Sequence, residues 1–349
     1  MRISFKFLNK IIILVFLVGS VASYAESDGT VSIIGVGDIM LGTNYPSRHY
    51  LPPNNGKGLL ASVNSILRNA DVTFGNLEGT ILDKGPTIKV GCKNCYAFRM
   101  PDFLADNLVT AGFDVMSIAN NHIRDFGSRG INNTIRVLTE NGIEAAGVLS
   151  RPTATFTING VTYGFAAFAP NIGTVQITDI ANAKRIVRQL AQSSDIVIVS
   201  FHGGAEGASH QRVPKKTEYY YRENRGNVHQ FAHALIDVGA DIVFGHGPHV
   251  TRAVEVYKNR FIAYSLGNFC TYGRFNLRGV KGIAPIIKVN VSLDGSFVNA
   301  KIIAIKQVGR GVVRVDWSKR AITKIQYLSR VDGFLGNINI NNNGWITKK

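Results

Sequence analysis

Five apolar runs in this chain each end on a residue able to hold a cation. Asp38 lies near the end of the run 31–40, Glu78 follows 72–76, Asn121 and His122 follow 113–119, His202 follows 195–201, and His246 and His249 follow 240–244. Stability gives a hydrophobic strand no reason to carry a polar ligand at its end, and none to do so five times. In an open α/β sheet, bound groups collect in the crevice beyond the carboxyl ends of the strands. The repetition therefore points to an α/β fold whose strands deliver imidazole, amide and carboxylate groups to one cleft.

The segments between the runs support that class. Helices are expected over 59–68, 102–111, 128–141, 179–191 and 227–238, with Gly112 and Gly142 as natural stops for the second and third. Residues 155–158 and 161–168, joined by Asn159-Gly160, give the strongest hairpin signal. Strand-like runs at 252–256, 260–264, 283–293 and 297–305 follow one another without helices, which implies an antiparallel part of a mixed sheet. The polar and aromatic stretch 205–226 is expected to form a long loop over the cleft. Residues 331–349, rich in asparagine and glycine, are expected to form a flexible polar tail, which leaves 26–330 as the folded domain.

Arg2, Lys6 and Lys10 precede the apolar run 11–18, and Ser23-Tyr24-Ala25 offers small residues at the two positions a signal peptidase inspects. Residues 1–25 thus read as a signal peptide, or, if uncleaved, as a membrane anchor. Either reading sends the remainder out of the cytoplasm, to the periplasm or the extracellular side. The formal charge of +16 falls to +13 without Arg2, Lys6 and Lys10, which favours anionic partners through long-range attraction. Basic residues are scattered without an aromatic-basic repeat, so no nucleic acid is expected as a partner. An anionic envelope polymer or lipid surface suits the charge better.

Cys92 and Cys95 form a C-x-x-C in a glycine-containing loop. A structural zinc site needs four ligands and no second pair is present, and no strand precedes the pair as in a thioredoxin-like redox site. A loop disulfide is expected instead, given an oxidising compartment. Cys270 is expected to be a buried free thiol.

Oxygen and nitrogen donors without thiolate suit Mn, Fe or Zn. Asp38, Glu78, Asn121, His202, His246 and His249 could hold one or two such ions. Two cations roughly 3.5–4 Å apart clamp the entering and leaving oxygens of phosphoryl transfer around a bridging hydroxide nucleophile. His122 is the candidate general acid, with Asp125 placed three residues on to orient it and raise its pKa. His229 and His233 have the i, i+4 spacing of a metal pair on a helix but lack a comparable setting and read as a partly exposed pair.

Six blocks then carry a resemblance. Gly37-Asp38-Ile39-Met40-Leu41-Gly42, Asn76-Leu77-Glu78, Ala119-Asn120-Asn121-His122 with Asp125-Phe126-Gly127, His202-Gly203-Gly204-Ala205-Glu206, Gly245-His246-Gly247-Pro248-His249-Val250 and Tyr264-Ser265-Leu266-Gly267-Asn268-Phe269 occur in this order. The chain resembles the CapA family of capsule and poly-γ-glutamate synthesis proteins over about residues 31–290. That family is similar to calcineurin-like metallophosphoesterases, which implies a four-layer α/β/β/α sandwich of two mixed sheets. The resemblance also implies that Arg99 and Glu206 line the cleft and contact substrate. Two departures stand out: Asp38-Ile39-Met40 replaces the usual Asp-x-His, and two residues rather than one separate His246 from His249. A thioether does not replace imidazole for a hard cation, so the number of metals stays open.

The expected function is an exported metal-dependent hydrolase of phosphoesterase type acting on an envelope polymer or its precursor. The alternative is an accessory protein that binds an anionic polymer, such as polyglutamate, beside a membrane-bound synthase. Thiol exchange at Cys92 and Cys95 is a third and weaker reading.

Overall fold

A computed structural model describes residues 29–90 and 96–349. The expected signal peptide or anchor and the Cys92–Cys95 pair lie outside the described residues. Among the described residues, no helix is long and apolar enough to cross a membrane.

Two mixed sheets stack face to face. The larger has ten strands. Its parallel part runs through Thr30–Met40, Val72–Leu77, Val115–Ser117 and Glu144–Ala146. On the other side of Thr30–Met40 come the antiparallel strands Ile283–Ser292 and Phe297–Val308. The smaller sheet has six strands. Its parallel centre is Val161–Phe168, Ile196–His202, Ile242–His246 and Arg260–Ala263. Antiparallel edges at Thr153–Ile158 and Val254–Tyr257 close it.

Burial on both faces explains why these strands read as continuous apolar runs rather than alternating ones. Phe74 of the larger sheet stacks on Phe244 of the smaller with ring centroids 5.3 Å apart, within one inter-sheet core. Outside the larger sheet, helices Asp106–Ala111 and Gly127–Glu140 bury Leu108, Ala111, Ile131, Val137 and Leu138. Outside the smaller sheet lie helices Ile180–Ala191 and Val228–Ile236. Their first turns are capped by the Asp179 and Asn227 side chains, which accept from the backbone N–H of Asn182 and Gln230. The result is the expected four-layer α/β/β/α sandwich.

Three expectations need correction. Within 59–68 only Asn64–Leu67 is α-helical. The preceding residues instead join a strand: Val313 N–H donates to the Leu59 carbonyl, and Ser62 Oγ donates to the Val313 carbonyl. A helix at Arg320–Val331 was not anticipated. Residues 331–349 do not form a flexible tail, because Ile338–Ile340 and Trp345–Lys348 make a hairpin that extends the larger sheet beside Phe297–Val308. Ile338, Ile340 and Ile346 are buried, while Asn339 faces outward in the strand and Asn341, Asn342 and Asn343 form the turn.

Candidate functional site

Parallel strands place their carboxyl ends side by side, and register decides which residues meet there. In the larger sheet, Asp38 is paired with Asn76 on one side and Asn268 on the other. In the smaller sheet His202 is paired with His246. Close backbone approach makes this possible. A Cβ on Gly37 would lie 1.9 Å from the Gly267 carbonyl oxygen, and one on Gly245 would lie 2.4 Å from that of Tyr264. Without side chains there, Asp38 N–H donates to Gly267 at 2.8 Å.

The predicted donors converge. Asp38 accepts from Asn76 Nδ2 at 2.9 Å, lies 2.9 Å from His249 Nδ1, and lies 3.3 Å from His246 Nδ1. Burial alone would raise the Asp38 carboxyl, but the two imidazoles against it hold it far below the usual carboxylate range. Glu78 is driven well above that range by burial, reinforced by Asp38 and Glu206 and opposed by His249. Asp38, Glu78 and His202 each bring a ligand atom within 4.8 Å of the others. His249, at a left-handed φ of 56°, sets Nε2 3.4 Å from Glu78 and 3.8 Å from Glu206. Against the effect of burial, Glu78, Asp38 and Glu206 raise its pKa to about 10. Burial, helped by Arg225, depresses His202 far below the usual imidazole value.

Much of this cluster is unsatisfied. Glu78 Oε1, Asn121 Oδ1, both ring nitrogens of His202, both of His246, and Asn268 Oδ1 are buried without a hydrogen-bond partner. An unpaired buried polar atom costs about 1–3 kcal/mol, so a concentration of them at strand ends signals a missing partner. The donor set of carboxylate, amide and imidazole fits a divalent cation of the Mn, Fe or Zn class. Met40 contributes nothing to it. Its side chain is buried in the apolar core, and Sδ accepts from Gly42 N–H.

His122 Nδ1 lies 2.8 Å from Asp125 Oδ2, and the ring lies 4.3 Å from that of Phe98. Asp125 raises the His122 pKa, as expected, yet the net shift is downward. Burial lowers it, and Asp125 opposes this without reversing it. Lys89 is the cause of a further depression and forms an ion pair with Asp125.

A cavity of about 540 Å³ opens over these residues, lined by Asn121, His122, Glu206 and His249 together with Lys89, Arg274 and Lys281. Part of its wall is the loop 205–226, as expected, ordered by a buried bidentate pair between Arg252 and Glu218 at 2.7 and 2.8 Å. Glu206 also pairs with buried Arg225 at 3.1 Å. Arg99 is not brought to the cavity. Its guanidinium donates to Asn44 Oδ1 and the Gly85 carbonyl and sits over the Tyr45 and Phe126 rings.

Sequence reasoning gave no role to Asn76, Asn268, Lys89 or Arg225. Asn76 sits near the carboxyl end of its strand like the predicted ligands, a signal that was present, whereas Asn268 opens the strand Asn268–Thr271. Lys89 and Arg225 lie in irregular loops whose course no periodicity discloses.

With this geometry in view, the likeness to known proteins is specific. Residues 32–272 match the family described as "Bacterial capsule synthesis protein PGA_cap". A capsule biosynthesis protein, CapA, of Bacillus anthracis is 31% identical over 258 residues, 67% of this chain and 58% of that protein. The PGA biosynthesis protein CapA of Bacillus subtilis is 28% identical over 263 residues, 70% of this chain and 64% of that one. The chain thus spans less than two thirds of these relatives' lengths. Among solved structures, a 5'-nucleotidase precursor from Thermus thermophilus superposes with a TM-score of 0.45 at 12% identity, over 88% of this chain and 60% of its own.

Proposed function

Because the chain belongs to the PGA_cap family of bacterial capsule synthesis proteins, we propose that its cleft is the centre of a metal-dependent hydrolase. Its substrate is a phosphoester or related bond of an anionic envelope polymer or precursor, met outside the cytoplasm beside a membrane-bound synthase. One observation carries this reading: buried donor atoms of Glu78, Asn121, His202 and His246 lack hydrogen bonds around Asp38. One or two bound divalent cations would supply Lewis acidity toward a substrate oxygen and lower the pKa of water.

The chain's own groups account for the rest. Asn76 fixes the Asp38 carboxylate by donating to Oδ1. Asp125 holds the His122 Nδ1 proton, so that Nε2 is the atom free to donate to the departing oxygen. An anionic group in the cavity adds the negative charge that favours the protonated ring. Lys89, Arg274 and Lys281 attract such a group, while Phe98 and Phe275, 5.1 Å apart, restrict water on one wall. The test is hydrolysis of nitrophenyl phosphomonoesters and phosphodiesters after loading with Mn2+. Turnover that is abolished by chelation and by Asn121→Ala supports the proposal, and turnover unchanged in Asn121→Ala and His122→Ala overturns it.

The cationic wall also favours a second reading, an accessory protein that holds an anionic polymer without cleaving it. That reading requires salt-sensitive polyglutamate binding that survives His202→Ala and His249→Ala, with no hydrolysis in the loaded protein.

A further inference from the structure

A second group of donors lies outside the cleft and shares no residue with it. His229 and His233 stand one turn apart on helix Val228–Ile236, and Glu255 faces them from the edge strand Val254–Tyr257. One ligand atom from each lies within 4.8 Å of the other two, and all three residues are half-buried. Their orientations are fixed by packing. The His229 ring is stacked with Tyr264 and Phe334, at 6.1 and 5.8 Å, and His233 stacks on Tyr257 at 3.7 Å. Glu255 Oε2 lies 2.9 Å from His233 Nε2 and accepts from the Tyr264 hydroxyl at 2.5 Å. His229 itself makes no side-chain hydrogen bond among the described residues, although its ring faces that of His233 at 4.1 Å.

We propose that His229, His233 and Glu255 form a second cation site that takes a divalent transition metal of the zinc class. Two imidazoles and a carboxylate suit zinc, nickel or cobalt, whereas Mg and Ca prefer oxygen donors alone. Three protein ligands leave a position for water, which the partly exposed setting admits. The Tyr264 hydroxyl is the outer group that orients the carboxylate, as second-shell partners do in metal sites. A cation here ties helix Val228–Ile236 to the edge of the smaller sheet. The helix begins three residues after Arg225, so the tie also steadies the chain that carries Arg225 into the cleft.

The experiment is anomalous scattering at the zinc edge from crystals of the protein equilibrated with zinc chloride, with metal analysis of the same protein in solution. The site predicts a peak roughly 2.0–2.2 Å from His229, His233 and Glu255. It also predicts that His229→Gln removes that peak and lowers zinc content by about one ion per chain, while Asn121→Ala leaves the peak in place. Zinc should raise Tm in Asn121→Ala reversibly with chelator, and less so once His229→Gln is added. A peak here beside a bare cleft supports this site and counts against the proposed hydrolase. No peak here at saturating zinc, with His233 still bonded to Glu255, overturns the inference whatever the cleft contains.

Discussion

His122 Nδ1 sits 2.8 Å from Asp125 Oδ2, with Asp125 itself buried and accepting also from the backbone N–H of Phe98 at 2.7 Å. This pair defines which imidazole nitrogen is committed to the protein and which faces the cavity. His122→Ala should therefore reduce turnover by about 10²–10⁴-fold on substrates with poor leaving groups. The loss should shrink with nitrophenolate, which needs no proton. Measuring kcat across leaving groups of graded pKa checks this, and an equal loss throughout would deny His122 the acid role.

Asp125→Asn removes the charge that pairs with Lys89 and orients His122. Lys89 is partly exposed and regains water, so the stability loss should stay near 1–3 kcal/mol, with a larger relative loss in kcat. Urea unfolding alongside kinetics separates the two. Full activity with lowered stability would make the pair purely structural.

Gly37→Ala would press a methyl group onto the Gly267 and Leu266 carbonyl oxygens. Overpacking of this kind costs about 1–3 kcal/mol or more, and relief requires the strand to move away, taking Asp38 with it. The expected outcome is a lowered Tm together with weaker Mn2+ binding, read by calorimetry on one sample. Unchanged Mn2+ affinity would show that the close approach does not set the Asp38 position.

The Asp241 carboxyl is pushed up to about 6 by burial, although it accepts from Val197 N–H and pairs with Arg260 at 2.8 Å. The native chain therefore keeps a proton that the unfolded chain releases near pH 4. The share of stability contributed by Asp241 should fall as pH rises from about 4 to about 6, by on the order of 1–3 kcal/mol, and then level off. Denaturant unfolding across that window should show a shallower fall in Asp241→Asn than in the wild type. An identical slope in the variant would assign it to other groups.

Truncation after residue 336 removes the hairpin of Ile338–Ile340 and Trp345–Lys348 and bares the edge of Phe297–Val308 beside it. Burying each isoleucine is worth about 1.5–3 kcal/mol, and an open edge invites association. The truncated chain should unfold at lower denaturant and aggregate at concentrations where the full chain does not. A truncation as stable as the parent would return these residues to the role of a tail.

The architecture was legible because burial on two faces writes itself into the strands as unbroken apolar runs, as in 195–201, and because each run ended on a ligand type. Asp38, Glu78, Asn121, His202, His246 and His249 were found that way. The hairpin at the end of the chain was hidden by asparagines that belong to a turn and to the exposed face, while Ile338, Ile340 and Ile346 carried the alternation. The lowered pKa of His122 was not legible, since burial depends on Phe98 and the loop around Lys89 rather than on its neighbours in sequence. The family resemblance implies Arg99 as a cleft residue. The carbonyl and rings that capture it come from residues 44, 45, 85 and 126.

The most direct test of the account is anomalous scattering at the manganese edge from crystals equilibrated with Mn2+. The account predicts one or two peaks bonded to donors among Asp38, Glu78, Asn121, His202, His246 and His249, with the buried atoms of Glu78, Asn121, His202 and His246 drawn into coordination. A cleft bare at saturating Mn2+, with Asp38 still held by Asn76 and His249, would contradict it.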